Sequence, residues 1–181
     1  MMKIIRISGT PIKEIIKEAV SVLEDGGLII FPTETMYGIG ADATNQKAIN
    51  KLLTYKARRE GKPLSIAVNS TEMAKKYVKI NKTAKNLYEN FLPGPLTVVS
   101  KGLGKVASGV ESETGTLGVR IPDYKLVLEI ISKFKKPITA TSANALPAAR
   151  SNAARRFLIL NSPLKSAQPS YRSKSRTQLR H

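Results

Sequence analysis

Two spacings of apolar residues alternate along the chain. Lys3 to Ile7 is a short, mostly apolar segment punctuated by Lys3 and Arg6, and it predicts a first strand. Ile12, Ile15, Ile16, Ala19, Val20 and Leu23 then recur at helical spacing, with Thr10 placed to cap, Pro11 at the first position and Gly26-Gly27 as the stop. Leu28 to Phe31 is continuously apolar, as a buried strand requires. Thr44 is placed to cap a second helix carrying Ile49, Leu52 and Leu53, and Leu64 to Val68 predicts another strand. Ser70 is placed to cap the helix after it, and Leu87 and Phe91 mark a further helix stopped by Pro93-Gly94-Pro95. Leu96 to Ser100 and Leu117 to Ile121 read as strands, Asp123 as the cap of a helix through Phe134, and Pro137 to Ala140 as the last clear strand.

Strands thus alternate with helices, with two strands in near succession around residues 96–121. The pattern predicts an α/β fold: one twisted sheet of mixed strand direction with flanking helices. Beyond Leu146 the pattern stops. That segment is rich in Ser, Arg, Ala and Pro, and only Phe157 to Leu160 is continuously apolar, so mostly irregular chain is expected. The reading divides the chain into a domain over 1–145 and a basic tail over 146–181.

Composition narrows the chemistry. The 181 residues are 41% apolar, enough for one core, and no apolar run approaches the ~18 residues of a membrane span. No signal-like stretch opens the chain, so a cytoplasmic location is the expectation. There is no cysteine, and the single histidine is His181. Thiol chemistry, disulfides and cysteine-ligated zinc are excluded, and a histidine triad is hard to build. Backbone groups, hydroxyls, Lys, Arg and Asn remain, an inventory suited to positioning and charge stabilisation in phosphate chemistry. The formal charge is +17; residues 146–181 hold eight basic and no acidic residues, leaving 22 basic against 13 acidic, a net +9, over 1–145. A basic body implies anionic partners such as nucleotides or RNA, although solubility alone also favours surface charge.

Four segments near strand ends hold candidate chemistry. Pro32-Thr33-Glu34-Thr35-Met36-Tyr37-Gly38-Ile39-Gly40 combines hydroxyls with glycines and reads either as a ligand loop or as a plain turn. Lys56-Ala57-Arg58-Arg59-Glu60-Gly61-Lys62 sets four cations within seven residues; they suit a triphosphate, or the solvated end of a helix whose dipole favours cations. In Thr114-Gly115-Thr116-Leu117-Gly118-Val119-Arg120-Ile121-Pro122, alternation puts Gly118 and Arg120 on one face, open either to solvent or to a carboxylate ligand. Thr139-Ala140-Thr141-Ser142-Ala143-Asn144 reads as a cap or as a ligand clamp at a strand's carboxyl end. Gly38 to Ala43 fits G-x-G-x-x-A only loosely, several residues after its strand. Gly102-Leu103-Gly104-Lys105-Val106 lacks the hydroxyl residue of a P-loop.

Taken in order, Phe31-Pro32-Thr33-Glu34-Thr35-Met36-Tyr37-Gly38, Lys56-Ala57-Arg58, Lys62-Pro63-Leu64, Pro93-Gly94-Pro95-Leu96-Thr97, Gly118-Val119-Arg120-Ile121-Pro122 and Thr141-Ser142-Ala143-Asn144 resemble the Sua5/YrdC/YciO family over roughly residues 10–145. The resemblance implies a YrdC-like α/β domain with a basic concave cleft. It implies synthesis of L-threonylcarbamoyl-adenylate and pyrophosphate from L-threonine, bicarbonate and ATP, with Mg2+ riding on the phosphates and no metal held by protein side chains. The product serves N6-threonylcarbamoylation of adenosine 37 in tRNA, so the implied partners are tRNA or the downstream transferase machinery, with double-stranded RNA binding in view and no membrane. Carried over by position, Thr35 and Arg120 hold threonine. Lys56 and Arg58 are catalytic and, with Lys62, Thr116, Ser142 and Asn144, bind ATP. After Asn144 the family pattern continues with Ser-Gly and a Thr-rich helix start, whereas Ala145-Leu146-Pro147-Ala148-Ala149-Arg150 leaves it. The abrupt loss of acids is what a shifted reading frame or a truncated gene produces. The rival readings are a non-catalytic basic RNA-binding protein and an inactive, truncated paralogue.

Overall fold

The computed structural model describes residues 2–56, 63–143 and 156–160. In chain order the elements are β1 (Met2–Arg6), α1 (Ile12–Glu24), β2 (Leu28–Pro32), β3 (Tyr37–Gly40), α2 (Gln46–Lys56), β4 (Ser65–Ala67), α3 (Thr71–Ala74), α4 (Lys82–Phe91), β5 (Val98–Lys101), β6 (Thr116–Arg120), α5 (Lys125–Phe134), β7 (Ile138–Thr139), β8 (Thr141–Ser142) and β9 (Arg156–Leu160). The fold class is the α/β arrangement that the alternating pattern predicts. The strands form two sheets rather than one: five strands in the order β1-β9-β2-β3-β8 and four in the order β5-β6-β4-β7. All four pairings of the first sheet are antiparallel; the second holds one parallel pair, β4 with β6.

Apolar spacing dictates the packing. In α1, Ile15, Ala19, Val20, Val22 and Leu23 are buried, and in α5 Leu126, Val127, Ile130, Ile131 and Phe134 are. Burying one stripe of each helix is what stabilises such elements in a domain. Every residue of β2 is buried. Ile12, expected on the buried face of α1, is instead half exposed in the first turn.

Three helix starts differ from expectation. Pro11, not Thr10, occupies the cap of α1, without a side-chain bond. Ahead of α2, Asn45 Oδ1 accepts the Lys47 and Ala48 N–H groups, because Thr44 Oγ1 is spent as a donor to Asp42 Oδ1 at 2.6 Å. Tyr124, not Asp123, caps α5. Ser70 does cap α3, its hydroxyl accepting from Met73 N at 3.2 Å.

Three strands lie outside the sequence pattern: β8, where Thr141-Ser142 reads as a cap or clamp, and the two described next. Tyr37–Gly40 pairs with β2 through Ile29↔Gly40, Ile30↔Ile39 and Phe31↔Gly38. Its glycines are required by close approach: a Cβ on Gly38 would lie 2.9 Å from Phe31 Cζ, and one on Gly40 2.9 Å from Phe31 Cε1. The loose G-x-G-x-x-A match is therefore a strand lying over an aromatic ring, not a dinucleotide loop. The second is β9, which pairs with β1 from Met2↔Leu160 to Arg6↔Arg156 and with β2 from Leu28↔Leu160 to Ile30↔Leu158. The sequence places these five residues in a tail beyond 145; in the structure they stand between two strands of the sheet. Among the described residues no helix is long and apolar enough to cross a membrane.

The chain crosses between the sheets at Ala140, where β7 of the four-stranded sheet gives way to β8 of the five-stranded one. Thr139, 0% exposed, binds the two sheets there: its Oγ1 accepts from Ala41 N and donates to Ile39 O, both at 3.0 Å. Thr139 N donates to Ala41 O and Ala43 N to Pro137 O. Buried Asp42 closes the junction with Thr44 and with Lys136 Nζ at 3.0 Å.

Candidate active site at the junction of the two sheets

The hairpin β2–β3 turns through Thr33 to Met36. Thr33 Oγ1 organises the turn, donating to Met36 O at 2.7 Å and accepting from Thr35 N and Met36 N at 3.3 and 3.2 Å. That leaves Glu34 and Thr35 exposed at the tip. On the other sheet, buried Leu117 and Val119 alternate along β6 with partly exposed Thr116, Gly118 and Arg120. Alternation therefore puts Arg120 and Gly118 on one polar face, as the sequence predicts.

Arg120 is where the sheets meet. Its Nη2 donates to Thr35 Oγ1 at 3.2 Å and to the Glu34 carboxylate, and its Nε to Gly94 O at 3.2 Å. The Pro93-Gly94-Pro95 turn delivers that carbonyl, because Gly94 N in turn donates to Ile121 O at 2.9 Å. Gly94 allows the turn to fold tightly: a Cβ there would stand 2.6 Å from Phe91 O. The Arg120 side chain is only 15% exposed, and that of Glu34 22%. An arginine oriented this way can recognise a carboxylate or a phosphate.

Lys56, in the last turn of α2, forms the second centre. Its Nζ donates to Thr141 Oγ1 at 2.8 Å and to Ser142 O at 2.6 Å. Ser142 pairs with Gly38 and Ala143 N donates to Tyr37 O at 2.9 Å, so β8 lies against the hairpin whose tip bears Thr35. Met36 and Tyr37 separate Thr35, in the bend, from Gly38 in the strand. The β2–β3 hairpin thus carries two contacts, Arg120 with Thr35 at its tip and, through β8 paired along its second strand, Lys56 with Ser142 O, although these residues come from four segments of sequence.

Thr116 begins β6, four residues or about 13 Å from Arg120. Its hydroxyl pairs with Ser112 Oγ at 2.7 Å, and Ser112 with Thr114 at 2.9 Å, a hydroxyl cluster with no contact to Arg120 or Lys56. Between them, Gly118 sits beside Ser65 of β4, whose Oγ donates to Ala140 O at 3.0 Å. Arg58, Lys62 and Asn144 lie outside the described residues. Of the hydroxyls in Thr139 to Ser142, that of Thr139 is structural and that of Thr141 accepts from Lys56.

Sequence reasoning gave no individual role to Glu34 or to the Gly94 carbonyl. The signal for Glu34 was its place beside Thr35; the signal for Gly94 was a proline-flanked glycine just before a strand. Burial raises the Tyr55 phenol, next in sequence to Lys56, and burial followed by the Asp42 charge raises that of Tyr77 against an opposing effect of Lys136. A separate open groove, bordered by Lys75, Lys79, Ile80 and Leu103, contains none of the predicted site residues.

Known proteins resemble this chain in sequence and fold. The Sua5/YciO/YrdC family, described as "Telomere recombination", matches residues 21–156. A threonylcarbamoyl-AMP synthase of Enterobacter sp. (strain 638) is 33% identical over 142 residues, covering 76% of this chain and 75% of that protein. The threonylcarbamoyl-AMP synthase of Pyrococcus abyssi is 35% identical over 130 residues, and there the chain spans only 38% of the relative's length. The crystal structure of P. abyssi Sua5 complexed with L-threonine superposes with a TM-score of 0.68 at 35% identity, covering 71% of this chain and 38% of that one. Matched over residues 21–156, and sharing the fold of a solved member, this chain belongs to the Sua5/YciO/YrdC family.

Proposed function

We propose that this chain is a threonylcarbamoyl-AMP synthase, joining L-threonine, bicarbonate and ATP into L-threonylcarbamoyl-adenylate with release of pyrophosphate. The observation that supports the reading is that one hairpin carries Arg120 against Thr35 at its tip and, through β8, Lys56 against Ser142 O; we read the first as the carboxylate subsite and the second as the phosphate side. The relatives bear the name of this activity, and the P. abyssi structure is a complex with L-threonine.

In this reading Arg120 binds the threonine carboxylate and Thr35 fixes the amino acid beside it. The amine adds to the bicarbonate carbon and water leaves, giving a carbamate. A carbamate oxygen attacks the α-phosphorus of ATP, and the bond to pyrophosphate breaks. Lys56, with Arg58 and Lys62, offsets charge growing on the leaving pyrophosphate, while Thr116, Ser142 and Asn144 orient nucleotide and carbamate. Magnesium arrives with the nucleotide, since phosphate oxygens and water are its preferred ligands. Catalysis then rests on proximity and fixed positive charge. The product feeds N6-threonylcarbamoylation of adenosine 37 in tRNA, in the cytoplasm, with tRNA or the transferase machinery downstream. The catalytic unit is residues 1–145 completed by β9, with the rest of 146–181 a basic tail.

Pyrophosphate release measured with ATP, threonine and bicarbonate tests this. Lys56→Ala is expected to lower the rate by about a hundredfold, the scale of removing one fixed donor from developing charge. An unchanged rate in an active parent removes Lys56 from the mechanism, and release independent of threonine removes the reaction.

A further inference from the structure

Glu34 bears a carboxylate that the reaction does not use, yet it sits on the arginine assigned to the substrate. The bonding of Arg120 is asymmetric. Nε is committed to Gly94 O, and Nη2 is shared between Glu34 and Thr35 Oγ1, while Nη1 has no partner among the described residues. A ligand carboxylate binds an arginine best as a fork, through two parallel N–H···O bonds. With Nε taken by the main chain, the fork left to a ligand is Nη1 with Nη2. Glu34 occupies one of its two prongs.

We infer that Glu34 is an internal occupant of the carboxylate subsite, and that an α-amino acid binds by displacing it from Arg120. This rests on the reading of Arg120 as the carboxylate anchor. Its place in the fold suits an exchangeable group. Glu34 stands at the tip of a two-strand hairpin whose conformation is held by Thr33, not by Glu34, so its side chain can leave without undoing the turn. Arg120 stays in place when it leaves, held by the Gly94 carbonyl and Thr35. Glu34 keeps the guanidinium neutralised in the empty site and lowers the net affinity for the incoming acid. It also discriminates, because only a ligand with a full negative charge and fork geometry replaces it. A neutral amide or ester of the same amino acid cannot.

Equilibrium titration calorimetry on the full chain separates the outcomes. The ligands are L-threonine, L-threoninamide and 3-hydroxybutyrate, which keeps the carboxylate and hydroxyl but lacks the amine. Glu34→Gln removes the competing charge while keeping the side chain's size, and is expected to tighten L-threonine and 3-hydroxybutyrate alike by about five- to tenfold, leaving L-threoninamide weak. Glu34→Asp, with equal charge and shorter reach, should fall between parent and Glu34→Gln. Weaker binding of both acids in Glu34→Gln overturns the inference and makes Glu34 a support for Arg120. Weaker binding of L-threonine alone also overturns it, and assigns Glu34 to the substrate's ammonium group. Arg120→Ala tells the two levels apart: threonine binding unchanged there defeats the anchor itself. Binding lost in Arg120→Ala with no gain in Glu34→Gln defeats only the displacement.

Discussion

Replacing Thr139 by valine tests how much one buried hydroxyl contributes to joining the two sheets. The change is nearly isosteric, so the core keeps its volume while two hydrogen bonds of 3.0 Å disappear at a position that is 0% exposed. Ala41 N–H loses its acceptor in a buried setting, which costs about 1–3 kcal/mol, and the bond to Ile39 O contributes about 0.5–1.5 kcal/mol more. The expected loss is thus about 1.5–4.5 kcal/mol, a large share of the 5–15 kcal/mol typical of a domain. In urea, at a slope of about 2 kcal/mol/M, the midpoint should fall by about 1–2 M with the slope unchanged. Thr139→Ser serves as the control, since it keeps both bonds and loses one methyl, for about 1 kcal/mol. The reasoning is refuted if valine costs less than about 0.5 kcal/mol, or if serine costs as much as valine. Because Thr35 and Arg120 belong to different sheets, threonine affinity should weaken in Thr139→Val even at low denaturant, while Thr139→Ser preserves it.

Other perturbations probe the core. Burial pushes the Tyr88 phenol up to about 12, against about 10 in an unfolded chain. An acid so raised stabilises the fold fully below pH ~10, and that contribution is lost as the pH climbs toward 12, by about 2–3 kcal/mol. Chemical denaturation in Tyr88→Phe should therefore show a shallower alkaline decline than the parent; parallel curves would remove Tyr88 as the cause. At neutral pH the same variant should be no less stable, because the buried hydroxyl has no hydrogen-bond partner among the described residues. Gly40→Ala would set a methyl 2.9 Å from Phe31 Cε1, 3.0 Å from Ile29 Cγ1 and 3.2 Å from Ile138 Cδ1. Such overpacking costs about 1–3 kcal/mol, and a thermal midpoint equal to the parent's would show that the ring has room to move.

Sequence patterning was most informative where a segment's own residues decide its state. The stripes of α1 and α5, the buried run of β2 and the polar face of β6 could all be read locally. Partners distant in sequence decided the rest. Tyr37-Gly38-Ile39-Gly40 has the composition of a turn; it becomes a strand because β2 offers a ladder and Phe31 needs its ring covered by residues without side chains. Thr44 has the chemistry of a cap, but Asp42 takes its hydroxyl and Asn45 caps instead. The site shows the same division. Arg120 was legible from strand alternation, and Lys56 from its cationic setting. The contact between Lys56 and Ser142, and the pairing of Glu34 with Arg120, arise only once the sheets adjoin.

Among the described residues β1 has a single neighbour in its sheet, β9, whose residues lie some 150 positions further along the chain. During synthesis at roughly 5–20 residues per second, the first strand to leave the ribosome must wait about 8–30 s for the segment that completes its ladder. For that interval the β2 edge later covered by β9 is also open. A nascent chain halted before Arg156 would present both, so chaperone capture and aggregation should be governed by how promptly the five residues of β9 arrive.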